Sequence, residues 1–127
     1  MKTVFLSAFN SGLDFQQNLT AHRQLREVLY DRMLLLGQVS NVFGRYNGTD
    51  ELSFRVSNLD DDAANILAEV AFKEFYQESI LVVESDGSAY LRYQNGYIKP
   101  LGIMTQVDSV EGLDAYSEVD DKFYTVK

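Results

Sequence analysis

The sequence predicts an α+β fold: a ferredoxin-like β-α-β-β-α-β sandwich whose antiparallel sheet is extended by a C-terminal β-hairpin. Three observations carry that expectation. Segments rich in β-formers alternate with two stretches of helical apolar spacing, in the order strand, helix, strand, strand, helix, strand. Asn47-Gly48 and Asn95-Gly96 each separate two β-rich segments, a strong short-range sign of a hairpin. A near-continuous apolar run, Ile80-Leu81-Val82-Val83, follows the second helix and suits a strand covered on both faces.

Lys2 to Phe9 is the first expected strand, ended by Asn10-Ser11-Gly12. From about Asn18 to Leu36, apolar residues recur at Leu25, Val28, Leu29, Met33 and Leu36. That spacing predicts a long amphipathic helix with Asn18 as N-cap and Gly37 at its stop. Gln38 to Tyr46 and Glu51 to Ser57 are the two strands of the Asn47-Gly48 hairpin. Asn58 to Asp62 then offers a cap and three acidic residues to the positive end of a helix dipole. Ala63, Ile66, Leu67 and Val70 form the apolar stripe of that second helix, which reaches about Tyr76. Phe72, Phe75 and Tyr76 fall outside the stripe and imply a second buried face, against the extra hairpin or against another subunit. Ser79 to Glu84 is the fourth strand, and the turns Asp86-Gly87 and Asn95-Gly96 delimit Ser88 to Gln94 and Tyr97 to Ile103 as a continuing meander. The final stretch, about residues 113–127, is acidic and weakly patterned, and reads as a tail.

A chain of 127 residues, 46% hydrophobic and with one proline, can bury one core, so a single domain over residues 1–127 is expected. Nineteen Asp and Glu against eleven Lys and Arg leave a net charge of −8. That balance argues against nucleic acid or an anionic membrane as partner and tolerates a cationic small molecule. Without cysteine there is no disulfide, thiolate nucleophile or sulfur-bound metal, and one histidine cannot build the usual zinc site; no metal or cofactor is expected. The apolar run after Met1-Lys2 is shorter than a signal-peptide core, and no segment approaches the ~20 apolar residues of a bilayer span. A soluble cytoplasmic protein is expected, in which the sequons at Asn18 and Asn47 carry no meaning.

The fold class names no function, which must come from particular side chains. The handover from Val4-Phe5-Leu6-Ser7-Ala8-Phe9 to Asn18-Leu19-Thr20-Ala21-His22-Arg23 puts polar groups where a first strand meets a first helix, a usual place for a ligand site. His22 is either a helix-shoulder residue bonded to backbone or a ligand contact beside that loop. With no second histidine and no nucleophile in an identifiable setting, a catalytic triad is not expected. Tyr46 and Asp50-Glu51 flank the hairpin tip, as a solvated turn or as a site. Gln77-Glu78, where the second helix hands over to the apolar fourth strand, is a loop pair or a site pair. No glycine-rich phosphate loop occurs.

Taken together, four segments resemble, in order and spacing, the small phage-encoded S-adenosylmethionine hydrolases over roughly residues 3 to 103. They are Val4 to Phe9, Asn18 to Arg23, Tyr46 with Asp50-Glu51 leading into Phe54-Arg55-Val56, and Gln77-Glu78-Ser79-Ile80-Leu81-Val82. The family is better described as lyases, which convert S-adenosylmethionine to 5′-methylthioadenosine and homoserine lactone. The resemblance implies a ferredoxin-like subunit, a homotrimer with substrate bound between subunits, no cofactor, and a phage protein in the cytoplasm of an infected host that depletes the methyl donor and blunts restriction. It implies that Tyr46, Glu51 and Glu78 carry catalysis, with Ser7, Ala8, Phe9 and Gln77 against the nucleoside and His22 in support. The glutamates would hold the ammonium and the ribose hydroxyls, in either order, with Tyr46 beside the sulfonium. A protein carboxylate on sulfur itself would stabilise the ground state of a reaction in which charge is annihilated. The competing expectation is a non-catalytic ferredoxin-like binding or regulatory module, which the net charge also suits.

Overall fold

In the computed structural model, which describes residues 1–33, 38–46 and 49–127, eight antiparallel strands close into a barrel. They are β1 (Lys2–Leu6), β2 (Gln38–Tyr46), β3 (Thr49–Leu59), β4 (Ser79–Val83), β5 (Ser88–Tyr93), β6 (Ile98–Val107), β7 (Tyr116–Val119) and β8 (Lys122–Val126). Around the barrel they run β1-β3-β2-β7-β8-β6-β5-β4. Helix α1 (Phe15–Met33) joins β1 to β2, and α2 (Asp61–Glu69), continued by a π-helical turn over Val70–Glu74, leads from β3 to β4.

The ferredoxin-like sandwich is therefore overturned, and the segment read as a tail is what overturns it. The connectivity β1-α1-β2-β3-α2-β4 lays down four adjacent strands, β4-β1-β3-β2, and β5 and β6 extend them as a meander. Such a sheet would end in free edges at β2 and β6. Instead β7 pairs with β2, placing Ser117 opposite Gly44, and β8 pairs with β6, placing Tyr124 opposite Gln106. Closure removes both edges and the exposed rows of N–H and C=O groups they would carry. The strands that achieve it are only four and five residues long. Their turn, Asp120-Asp121, puts both residues at positive φ (51° and 64°), the backbone of a two-residue hairpin turn, without the glycine that usually announces one.

Residues directly opposite one another in an antiparallel pair share a face, so the registers sort each strand residue to the outside or the inside of the wall. Outside, Val4, Leu6, Phe54, Val56, Ile80 and Val82 meet Leu25 and Leu29 of α1 and the small and apolar face of α2, forming the main core. Inside, Phe5, Val42 and Val119 form a smaller cluster with Leu81, Val83, Met104 and Tyr124 against it. Burying one large apolar side chain stabilises by about 1.5–3 kcal/mol, so most of the hydrophobic stabilisation lies between wall and helices.

The helix ends are set by side chains. Helix α1 starts at Phe15, ahead of the expected Asn18, because Asp14 and Gln17 cap it reciprocally: the Gln17 N–H donates to Asp14 Oδ1 (2.8 Å) and the Asp14 N–H to Gln17 Oε1 (3.0 Å). Asn18 is buried instead and pins the loop after β1, its Oδ1 accepting the Asn10 N–H (2.8 Å) and its Nδ2 donating to the Asn10 carbonyl (3.2 Å). Leu36, Gly37 and the Asn47-Gly48 turn lie outside the described residues; Tyr46 stands opposite Thr49 in the flanking ladder. Asp60 caps α2 by accepting the Ala63 N–H (2.8 Å). Of the expected stripe, Ala63, Leu67 and Val70 are buried while Ile66 is exposed; Phe72 and Phe75 join the main core and Tyr76 does not, being 77% exposed. Among the described residues no helix is long and apolar enough to cross a membrane.

Candidate active site

The strand directions bring the end of β1, the end of β2 and the starts of β3, β4 and β7 to one rim of the barrel. Just inside that rim runs a row of facing residues: Glu51 on β3 stands opposite Gly44 on β2, and Gly44 stands opposite Ser117 on β7. Tyr46, two residues beyond Gly44, projects to the same face. Its ring folds back over the glycine, where a Cβ would meet Tyr46 Cε2 at 2.6 Å and the hydroxyl oxygen at 2.8 Å. The phenol thereby reaches Ser117 Oγ at 2.7 Å. Ser53, on the inner face of β3 beside this group, is buried, and its Oγ has no hydrogen-bond partner among the described residues.

Burial shapes the electrostatics of this mouth. It pushes the Glu51 carboxyl above its ordinary value, and the neighbouring Ser7 hydroxyl opposes the rise. That hydroxyl has a single proton, already donated to the Leu52 carbonyl (2.9 Å), while its oxygen accepts the Phe9 N–H (2.9 Å). Burial also raises the Tyr46 phenol; the Ser117 hydrogen bond offsets part of the rise, the Glu51 charge adds to it, and the nearby Ser53 hydroxyl, though it makes no hydrogen bond of good geometry, also opposes it. Tyr46 is thus a neutral phenol at neutral pH, an electron-rich ring face rather than a base.

The other residues singled out in the sequence sit around or away from this pair. Gln77 locks two chain segments together: its Nε2 donates to the Phe9 carbonyl (3.0 Å) and its backbone N–H to the Ala71 carbonyl (3.0 Å), across the π-helical turn. Ser7 and Phe9 therefore stand at the rim under two restraints. Ala8 turns its side chain into the main core and offers the rim only backbone. Glu78 is exposed in a separate depression of about 340 Å³ with Tyr93, Gln94 and Asn95, none of them among the residues of the mouth.

His22 lies on the other side of the wall. Its ring stacks on Phe54 (centroids 4.4 Å apart, planes 6° apart) and meets Phe9 edge-on at 6.1 Å. Its Nδ1 is buried without a partner among the described residues, and burial, reinforced by Arg26, holds its pKa below the ordinary value, so the imidazole is neutral. It borders an open depression of about 480 Å³ with Asn41, Phe43, Glu118, Asp120 and Asp121. That hollow is larger than the one beside Glu78 and reaches Ser53, but Glu51 and Tyr46, whose pKa values burial raises, lie outside its lining and make the mouth the candidate site.

Sequence reasoning missed Gly44, Ser53 and Ser117. The first two follow once the hairpin register is fixed, because 44, 46, 51 and 53 then share one face. Ser117 had no such signal, since its strand was read as tail. Comparison with curated protein sequences returns no match. A family model, however, matches residues 4–127, a span that takes in the closing hairpin as well as the mouth, and the chain belongs to the S-adenosylmethionine lyase family.

Proposed function

We propose that the chain degrades S-adenosylmethionine to 5′-methylthioadenosine and L-homoserine lactone. The substrate's own carboxylate oxygen bonds to its γ-carbon as the C–S bond breaks and the bonding pair returns to sulfur. The observation that carries this reading, beside family membership, is the mouth itself, where a carboxyl group and a neutral phenol converge while the chain's one histidine lies on the other side of the wall. The reaction asks for little else. Holding the carboxylate in line with the breaking bond is a proximity effect of the kind that contributes roughly 7–11 kcal/mol in intramolecular systems. A partly dry site favours a step in which opposite charges disappear.

On this reading Glu51 takes the substrate ammonium or the ribose hydroxyls, Glu78 takes the other, and the Tyr46 ring lies beside the sulfonium. Ser7, the backbone at Ala8, Phe9 and Gln77 line the nucleoside end, and His22 supports Phe9 from behind. Glu78 stands apart from Tyr46 and Glu51 within one subunit, which suits a homotrimer whose neighbouring subunit completes the site. We read the chain as one such domain over residues 1–127, working in the cytoplasm of an infected bacterium, where depletion of the methyl donor counters restriction.

Incubating the protein with S-adenosylmethionine and separating the products by chromatography tests the reading. Methylthioadenosine should appear, with the lactone preceding homoserine. Glu51→Gln should lower kcat/KM by about a hundredfold, the usual scale for removing one partner of a buried charge pair. Wild-type protein that releases no methylthioadenosine would leave the binding-module alternative standing.

A further inference from the structure

We propose that Ser117 is a positioning residue for Tyr46, and that the gap at Gly44 is the seat into which Ser117 draws the ring. The proposal rests on the lyase reading of the mouth and adds to it a part contributed by the closing hairpin. Three observations converge. The registers set Glu51, Gly44 and Ser117 in one interior row, so the missing side chain at position 44 leaves a slot between a carboxylate and a hydroxyl. The Tyr46 ring fills that slot so closely that a Cβ at Gly44 would lie 2.6 Å from Cε2. Finally, Ser117 is 3% exposed, and its Oγ lies 2.7 Å from the phenol oxygen.

The anchor is itself held. Thr125 Oγ1 donates to the Ala115 carbonyl (2.9 Å) just before β7, and Arg55 approaches Asp120 (3.8 Å) just after it. A side chain tied at its tip and seated on backbone at its edge keeps one ring plane. Such restraint by the supporting residues is what a contact to a bound cation requires. A hydroxyl engaged with Ser117 is poorly placed to move a proton, so Tyr46 acts through its ring, and the hydroxyl serves to aim it.

This division of labour has a distinctive kinetic signature. Tyr46→Phe and Ser117→Ala each cut the tether and leave the ring, so each should lower kcat by about tenfold with KM within about twofold, the scale of a small misplacement of a reacting partner. The double variant should be no slower than the slower single one, because both remove the same link. Ser117→Thr, which keeps the hydroxyl, should recover most of the rate. Ser117→Ala with wild-type kcat, or losses that multiply in the double variant, would overturn the proposal and leave the lyase reading intact. Should the wild type release no methylthioadenosine, that reading fails, and the tether is then decided by phenol titration. The ultraviolet ionisation step that Tyr46→Phe abolishes should move to higher pH in Ser117→Ala, and an unmoved step overturns the tether.

Discussion

The two sides of the barrel wall are built for different purposes. On the side covered by α1 and α2 the core is apolar among the described residues: Val4, Leu6, Phe54, Val56, Ile80 and Val82 pack with Leu25, Leu29 and Leu67. On the inner side the apolar cluster around Phe5, Val42 and Val119 is small, and toward the rim it gives way to Ser7, Tyr46, Glu51, Ser53 and Ser117. The same strands thus place the main core on one face and the candidate site on the other, because side chains alternate with period two. Changes on the two faces should be separable in measurement.

The largest effect expected from that separation is on the covered face. Phe54 is fully buried and carries the His22 stack, so Phe54→Ala should cost about 3–5 kcal/mol in denaturant unfolding. Val119→Ala, on the inner face, removes the equivalent of two buried methylenes and should cost about 1–2 kcal/mol. Equal losses at the two positions would break the comparison and point to one continuous core.

How much of this could be read in the sequence follows from the same alternation. The covered face was legible, since apolar residues at helical spacing on α2 and the run Ile80 to Val83 announce burial without knowledge of partners. Tyr46 and Glu51 were legible as neighbours because two β-rich segments flank a hairpin signal, and the register of β2 on β3 places both on the inner face. The barrel was not. Its closing strand Tyr116-Ser117-Glu118-Val119 turns a serine inward, so the usual apolar alternation is spoiled at the position that faces Gly44. Its turn carries Asp120-Asp121 where glycine would have signalled a hairpin. Which face His22 meets was not legible, because it depends on how α1 packs on the barrel: there it stacks on Phe54, on the outer face.

That turn offers a second, smaller test. A non-glycine residue in the left-handed region costs roughly 1–2 kcal/mol, and Asp121 occupies it at φ 64°. Asp121→Gly should stabilise the protein by about 1 kcal/mol, raising Tm by about 3–5 °C in a calorimetric scan. It lies beyond Ser117 at the far end of β7, so kcat should not change with it. A rate that fell with Asp121→Gly would mean that the backbone at Asp121, and not only the Arg55–Asp120 contact, holds Ser117.

The smallest expected effect concerns the charge at the mouth, and its sign is fixed by burial. Glu51 has a folded pKa above its unfolded value, so the folded chain binds its proton more readily. The stabilisation this gives is fully present below the unfolded pKa and is lost as pH rises through the folded one. At neutral pH an ionised Glu51 is therefore a burden on the fold. Glu51→Gln should raise Tm by about 1–2 °C there, and the advantage should shrink toward zero as acid protonates the wild-type carboxyl. All other acidic groups are common to both chains, so the difference between their curves isolates this one. A lower Tm for the variant at neutral pH would mean that a partner already stabilises the ionised carboxylate in the empty site. Of the two assignments open to Glu51, ammonium or ribose hydroxyls, the ammonium one makes the substrate the stabilising partner, because an arriving cation pulls the pKa down, and the next measurement separates the two. S-adenosylmethionine should then raise the wild-type Tm more than that of Glu51→Gln, and its binding should tighten as pH rises through the Glu51 ionisation.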